Sequence, residues 1–109
     1  FHTNFSAGFG RLQMKYRKMG SLPWEVSAFG FGCMRLPTGG LLRGVNEKYA
    51  IEIIRHGIDC GINYLYTAWV YHFGQSEKIL GKALKDGYRQ KVHLATKLPM
   101  ILVRSEDAF

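Results

Sequence analysis

Two helix-periodic segments, each set between short β-prone runs with little chain left for connections, constrain this sequence most. Asn46 is a good N-cap, Glu47 follows in the first turn, and Ala50, Ile53, Ile54, Gly57 and Ile58 recur at helical spacing until Gly61 closes the segment. A second helix is predicted over Gln75 to Asp86, with Ile79, Leu80, Ala83 and Leu84 on its apolar stripe and Gly87 as its stop. Before, between and after them lie runs that read as strands: the apolar Val26 to Gly32, the β-branched and aromatic Ile62 to Ala68, and Val92 to Leu98. Strand, helix, strand, helix, strand in that order demands a parallel sheet with right-handed crossovers, which is α/β architecture.

Ahead of this unit, Lys15 to Met19 and Trp24 to Ser27 are β-prone runs joined by the turn-like Gly20-Ser21-Leu22-Pro23, and they predict a hairpin. Residues 1–13 mix Gly, Ser, Asn and Phe without period and read as an extension outside the fold, which then occupies residues 14–109. Residues 101–109 are too short a stretch to type.

Composition excludes several classes of function. Two cysteines far apart, Cys33 and Cys60, make neither a disulfide framework nor a C-x-x-C metal pair, so no metal site is expected. No apolar run reaches the ~18 residues of a membrane span, and the first residues lack a signal peptide's charged and apolar regions. The sequence reads as a cytoplasmic domain with no membrane partner. A net charge of +7 favours anionic partners, but no basic block concentrates it, and a solvated surface accounts for it without nucleic acid. Trp69, Tyr71, His72 and Phe73 form an aromatic cluster better placed for a pocket wall than for stacking bases.

In parallel α/β sheets functional groups gather at the carboxyl ends of the strands, which here are Gly32 to Arg35, Thr67 to His72 and Thr96 to Met100. No G-x-x-x-x-G-K-[ST] occurs, and Gly30-Phe31-Gly32 runs into Cys-Met-Arg-Leu-Pro rather than a helix, so phosphate-loop and dinucleotide-fingerprint readings fail. Tyr71 and Lys97, from consecutive strand ends, are better candidates. A phenol of ordinary pKa ~10 becomes a usable general acid beside an ammonium, because the positive charge stabilises the phenolate left behind. The alternative is a loop tyrosine and a solvated lysine.

Several motifs in order now carry a resemblance: Met14 to Gly20, Gly30-Phe31-Gly32-Cys33-Met34-Arg35-Leu36, Gly61-Ile62-Asn63-Tyr64-Leu65 with Thr67-Ala68-Trp69-Val70-Tyr71, Gly74-Gln75-Ser76-Glu77 onward to Gly81, and Ala95-Thr96-Lys97. Together they resemble the amino-terminal part of an aldo-keto reductase, over residues 14 to about 105. The resemblance implies a (β/α)8 barrel, present here in part, that binds NADP or NAD across the strand ends and reduces a small carbonyl substrate by hydride transfer. It implies Tyr71 as proton donor, Lys97 as the lysine that tunes it, Gly32, Cys33 and Met34 along the nicotinamide end of the cofactor, and Trp69 and His72 beside the carbonyl pocket.

Two departures stand out. The family's aspartate belongs at position 66, and this chain has Tyr66; without that carboxylate Lys97 loses its counterion, and catalysis is expected to be severely weakened. The length is also far below the ~250 residues of a closed barrel, so strand edges are expected to stay open, the family's catalytic histidine has no counterpart, and self-association becomes a rival reading: a non-catalytic βα module assembling through those edges. Of the remaining residues, His56 is expected in solvent, His93 packed on the face shared by Ala95 and Lys97, and Cys33 in a packing role.

Overall fold

The computed structural model describes residues 13–39 and 44–108; the rest of the proposed amino-terminal extension, residues 1–12, lies outside the described residues. Strands β1 (Tyr16–Lys18) and β2 (Glu25–Ser27) form an antiparallel hairpin with Tyr16 opposite Ser27. Gly20 at its turn has φ +58, a conformation natural to glycine. Strands β3 (Phe31–Gly32), β4 (Tyr64–Tyr66) and β5 (His93–Ala95) then build a parallel sheet in the order β3-β4-β5, connected by helices α1 (Glu47–Asp59) and α2 (Gln75–Ala83).

Each helix follows its sequence closely. The Asn46 side chain accepts from the Tyr49 amide at 3.2 Å, satisfying an amide that has no partner inside the helix. Ala50, Ile54 and Ile58 are buried, and Gly61 leaves the helix at φ +106. Helix α2 ends at Ala83, three residues earlier than its pattern predicts, because the chain turns through Asp86 (φ +59) and Gly87 (φ +86). Arg55 on α1 covers that end: its Nε donates to the Ala83 carbonyl at 2.9 Å, and its guanidinium pairs with Asp86 at 3.0 Å and lies over the Tyr88 ring.

Register settles what each face of the sheet meets. Phe31, Leu65 and Leu94 are aligned, as are Gly32, Tyr66 and Ala95, and strand alternation sends the two rows to opposite faces. The first row faces the helices, where Leu65, Ile54, Ile79, Leu80, Ala83, Leu84 and Cys33 make one continuous core. Burying a side chain of Leu or Ile size is worth about 1.5–3 kcal/mol, so this helix–sheet contact supplies most of the stability. The second row faces away from the helices. At its amino end the hairpin covers it: Trp24 stacks on His93 with ring centroids 3.5 Å apart, and Tyr64 lies beyond at 6.4 Å.

The hairpin is pinned there by Asn63. Its Oδ1 accepts from the Ser27 amide at 2.8 Å while its Nδ2 donates to the Glu25 carbonyl at 2.8 Å, so one side chain reads both directions of the β2 backbone. No helix among the described residues is long and apolar enough to cross a membrane.

The strands are shorter than the runs that predicted them. Only the residues paired across the sheet are regular; the flanking ones peel away into the loops, where Val26 to Ser27 belongs to the hairpin and Thr96 to Leu98 continues past β5. The stretch after residue 100 forms two single 3₁₀ turns, Met100–Leu102 and Glu106–Ala108.

Candidate active site

Backbone pairing carries on beyond the three strand ends and keeps their exits together. The Cys33 amide donates to the Tyr66 carbonyl at 2.9 Å, Thr67 to Ala95 at 2.9 Å and Trp69 to Lys97 at 3.2 Å. The last of these is decisive, since it holds the chain two residues before Tyr71 against Lys97 itself. Lys97 continues the Ala95 row, so its side chain rises on the face turned away from the helices. There its Nζ donates to the Tyr71 hydroxyl at 2.5 Å.

The loop from β4 to α2 reaches this position through an unusual backbone. His72 (φ 50), Phe73 (φ 54) and Gly74 (φ 88) are successive left-handed residues, and two of them are not glycine. Such conformations cost on the order of 1 kcal/mol or more each, so neighbouring contacts must hold them. His72 is held by its ring: Nε2 accepts from the Leu36 amide at 2.9 Å, tying the loop after β4 to the loop after β3. That bond requires a neutral imidazole with its proton on Nδ1. Phe73, by contrast, stands fully in solvent.

Below the loop, the buried Ser76 hydroxyl donates to the Cys33 carbonyl at 2.9 Å and shares a 2.8 Å hydrogen bond with the Thr67 hydroxyl. This small polar cluster ties the first turn of α2 to the ends of β3 and β4. Nothing in the sequence pattern pointed to it, because a serine in a helix's first turn ordinarily faces water. The Leu36–His72 and Asn63 contacts were equally invisible, being side chain to distant backbone.

The other residues singled out from sequence separate into two groups. Gly32, Tyr66, Tyr71 and Lys97 converge on one face; Trp69 and Met34 stand about half exposed on the neighbouring loops. Cys33 does not join them: its side chain is wholly buried in the helix-facing core, and burial pushes its thiol up to about 12. At the strand ends Cys33 therefore presents only its backbone. His93 shares the face of Ala95 and Lys97 at the opposite end of the strand, but it is exposed rather than packed inside, with its ring stacked on Trp24. His56 is half-buried with its Nε2 3.5 Å from the Cys60 sulfur.

Tyr66 occupies the centre of the cluster. Its ring lies beside Gly32, where even a Cβ would collide with the phenol end, and the Lys97 ammonium stands 5.7 Å from its centroid and 4.8 Å from that of Tyr71. Lys97 thus meets Tyr71 through its hydroxyl and lies within cation–π distance of the Tyr66 ring. Among the described residues no carboxylate forms an ion pair with it; the nearby Glu77 carboxylate instead accepts from the Thr96 hydroxyl at 2.5 Å, on the helix side of the sheet. Nor do the described residues group three or more His, Cys, Asp or Glu side chains that could hold a metal ion.

A nicotinamide cofactor has a partial fit to these residues. Met34 and Trp69 present apolar surface beside a hydroxyl–ammonium pair that could meet a carbonyl oxygen, while the Tyr66 ring crowds the approach along Gly32.

Comparison with known proteins gives this arrangement its context. Aldo-keto reductase YhdN of Bacillus subtilis (strain 168) is 44% identical over 85 residues, which are 77% of this chain and 25% of that protein. The oxidoreductase YqkF of the same organism is 38% identical over 84 residues, 77% of this chain and 25% of its own length. The solved aldo-keto reductase AKR11C1 from Bacillus halodurans, in its holo form, superposes with a TM-score of 0.66 at 44% identity, covering 79% of this chain and 26% of that structure. The chain spans about a quarter of the length of the curated relatives it matches. Its hairpin, three parallel strands and two helices are part of the same TIM barrel. The family model described as Aldo/keto reductase family matches residues 28–108, most of the chain, and this protein belongs to that family.

Proposed function

We propose that this chain is part of an NAD(P)H-dependent reductase that converts aldehydes or ketones to alcohols, with Tyr71 as the proton donor. The observation that carries the reading is the 2.5 Å hydrogen bond from Lys97 to Tyr71 at the carboxyl ends of β4 and β5. The cofactor, when bound, supplies a hydride to the carbonyl carbon. Tyr71 meets the charge that develops on the carbonyl oxygen by donating its hydroxyl proton, and the Lys97 ammonium stabilises the phenolate that remains. Met34 and Trp69 exclude water on the open sides, and His72 fixes the loop from which Tyr71 projects.

Tyr66 works against this chemistry, because it removes the family's carboxylate and places a ring along Gly32. The reading is tested by joining this chain to the remaining length of the Bacillus subtilis relative YhdN and titrating NADPH fluorescence. Saturable binding supports it; no binding refutes it.

A second reading is favoured by one specific observation. β3 and β5 each have a single partner among the described residues, and Leu94, on the helix-facing side of β5, is exposed. An unpaired strand with uncovered apolar neighbours is a site for pairing with another chain. Concentration-dependent association of the chain, without cofactor affinity, distinguishes a non-catalytic assembly module from the reductase.

A further inference from the structure

We propose that Tyr66 is a positioning residue for Lys97, its ring face holding the ammonium against the Tyr71 hydroxyl in place of a carboxylate, with Gly32 providing the space for that ring. The inference rests on the reading of Lys97 and Tyr71 as a proton-donating pair and assigns a role to the residue that departs from the family's pattern.

Three observations carry it. First, the ammonium lies 5.7 Å from the Tyr66 centroid, inside the distance at which a π face attracts a cation. Second, the three strands set this contact through register: Gly32 is paired with Tyr66 and Tyr66 with Ala95, while Lys97 follows Ala95 by one alternation, so all project on one face. Third, the ring has a seat cut for it. A Cβ on Gly32 would meet the Cζ, hydroxyl and Cε2 of Tyr66 far inside van der Waals contact, so the ring keeps this position only while residue 32 is glycine.

The ring and a carboxylate differ in what they do to charge. An aspartate would both place the ammonium and neutralise it, whereas a π face places it and leaves its full charge. Tyr66 therefore supplies the positional half of the carboxylate's work. Its hydroxyl is not required for this, because the attraction comes from the ring face.

The experiment is NMR of the chain with 13C-labelled lysine, following the Lys97 ε-methylene resonance. The face of the Tyr66 ring shifts it upfield. Tyr66→Phe is expected to keep the upfield shift, and Tyr66→Leu to lose the larger part of it. Gly32→Ala, which leaves Tyr66 in place but denies its ring the seat, is expected to lose it as well. Methyl resonances of Leu65 and Ile54 report in each variant that the core remains folded. An unshifted Lys97 in the unaltered chain, or a shift untouched by both Tyr66→Leu and Gly32→Ala, overturns the proposal. Failure of cofactor binding in the joined barrel would overturn the reductase reading and leave these resonances as they are, so the two can fail separately.

Discussion

Lys97 and Tyr71 are 26 residues apart and leave from different strands, yet the lysine ammonium donates to the tyrosine hydroxyl at 2.5 Å. Neither side chain reaches the other by length alone. The backbone bond from the Trp69 amide to the Lys97 carbonyl brings their loops into one ladder, and the left-handed run at His72, Phe73 and Gly74 turns the chain immediately after Tyr71. The geometry of this hydroxyl–ammonium pair is thus a product of parallel strand register, the feature that the strand–helix–strand order imposes.

The residue at position 66 is expected to set the activity of this pair. In the barrel completed with the remainder of YhdN, Tyr66→Asp restores a counterion to Lys97 and clears the space along Gly32. The expected outcome is a rise in kcat for a model aldehyde, within the roughly 10²–10⁴-fold that a positioned proton donor contributes. Steady-state NADPH oxidation measures it, and an unchanged kcat would remove Tyr66 as the cause of impairment.

Cys33 makes the fold sensitive to alkali. Burial raises its thiol from 9.0 to about 12 in the folded chain, so between those values the unfolded chain releases a proton that the folded one keeps. The contribution is fully present below pH 9 and is lost as pH rises toward 12. Urea melts of the unaltered chain and Cys33→Ala over that range are expected to differ in slope, with the unaltered chain falling more steeply. The same burial predicts that a thiol reagent labels exposed Cys60 in the native protein and reaches Cys33 only after denaturation. Equal labelling rates would show that the core around Cys33 is open.

Polar side chains that bind distant backbone are expected to matter out of proportion to their size. Asn63→Ala leaves the Ser27 amide and the Glu25 carbonyl without their side-chain partner, and Ser76→Ala leaves the buried Cys33 carbonyl and Thr67 hydroxyl without theirs. Ser76→Ala is expected to cost about 1–3 kcal/mol, the ordinary penalty for orphaning a buried polar group, and Asn63→Ala, whose partners are part-buried and exposed, about 0.5–1.5 kcal/mol per bond lost. Denaturant midpoints measure both. A loss of Trp24 emission change on unfolding in Asn63→Ala alone would place its effect in the hairpin, since Trp24 stacks under it on His93.

The chain by itself is expected to associate. Beyond the single-partnered strands, Phe29, Leu98, Met100, Ile101 and Leu102 are all exposed, more apolar surface than an isolated domain of this size normally leaves in water. Sedimentation velocity across a concentration series should show mass rising with concentration. A monomer with one cooperative thermal transition would contradict this.

Periodicity made the two helices legible almost residue by residue, from the Asn46 cap to the buried Ile54, Ile58, Ile79 and Leu80, because a helix writes its buried face into its own sequence. Strand lengths were less legible. The run Val92 to Leu98 reads as one strand, but only the three residues from His93 to Ala95 are regular, and where pairing stops depends on neighbours far away in sequence. The convergence of Lys97 with Tyr71 followed from strand order, whereas the seating of Tyr66 against Gly32 did not. It required the register of β3 against β4, and a glycine in an apolar run carries no sign of the ring that will fill its place. Cys33 shows the same limit: one step of alternation from Gly32 turns its side chain from the site to the core.

The central claim is that Tyr71, held by Lys97, gives the proton in carbonyl reduction. Its most direct test is the joined barrel carrying Asp at position 66, assayed for aldehyde-dependent NADPH oxidation with and without Tyr71→Phe. Removing the hydroxyl alone leaves ring packing intact and is expected to lower kcat by about 10²-fold or more with little change in cofactor affinity. Turnover that survives Tyr71→Phe undiminished would contradict the claim.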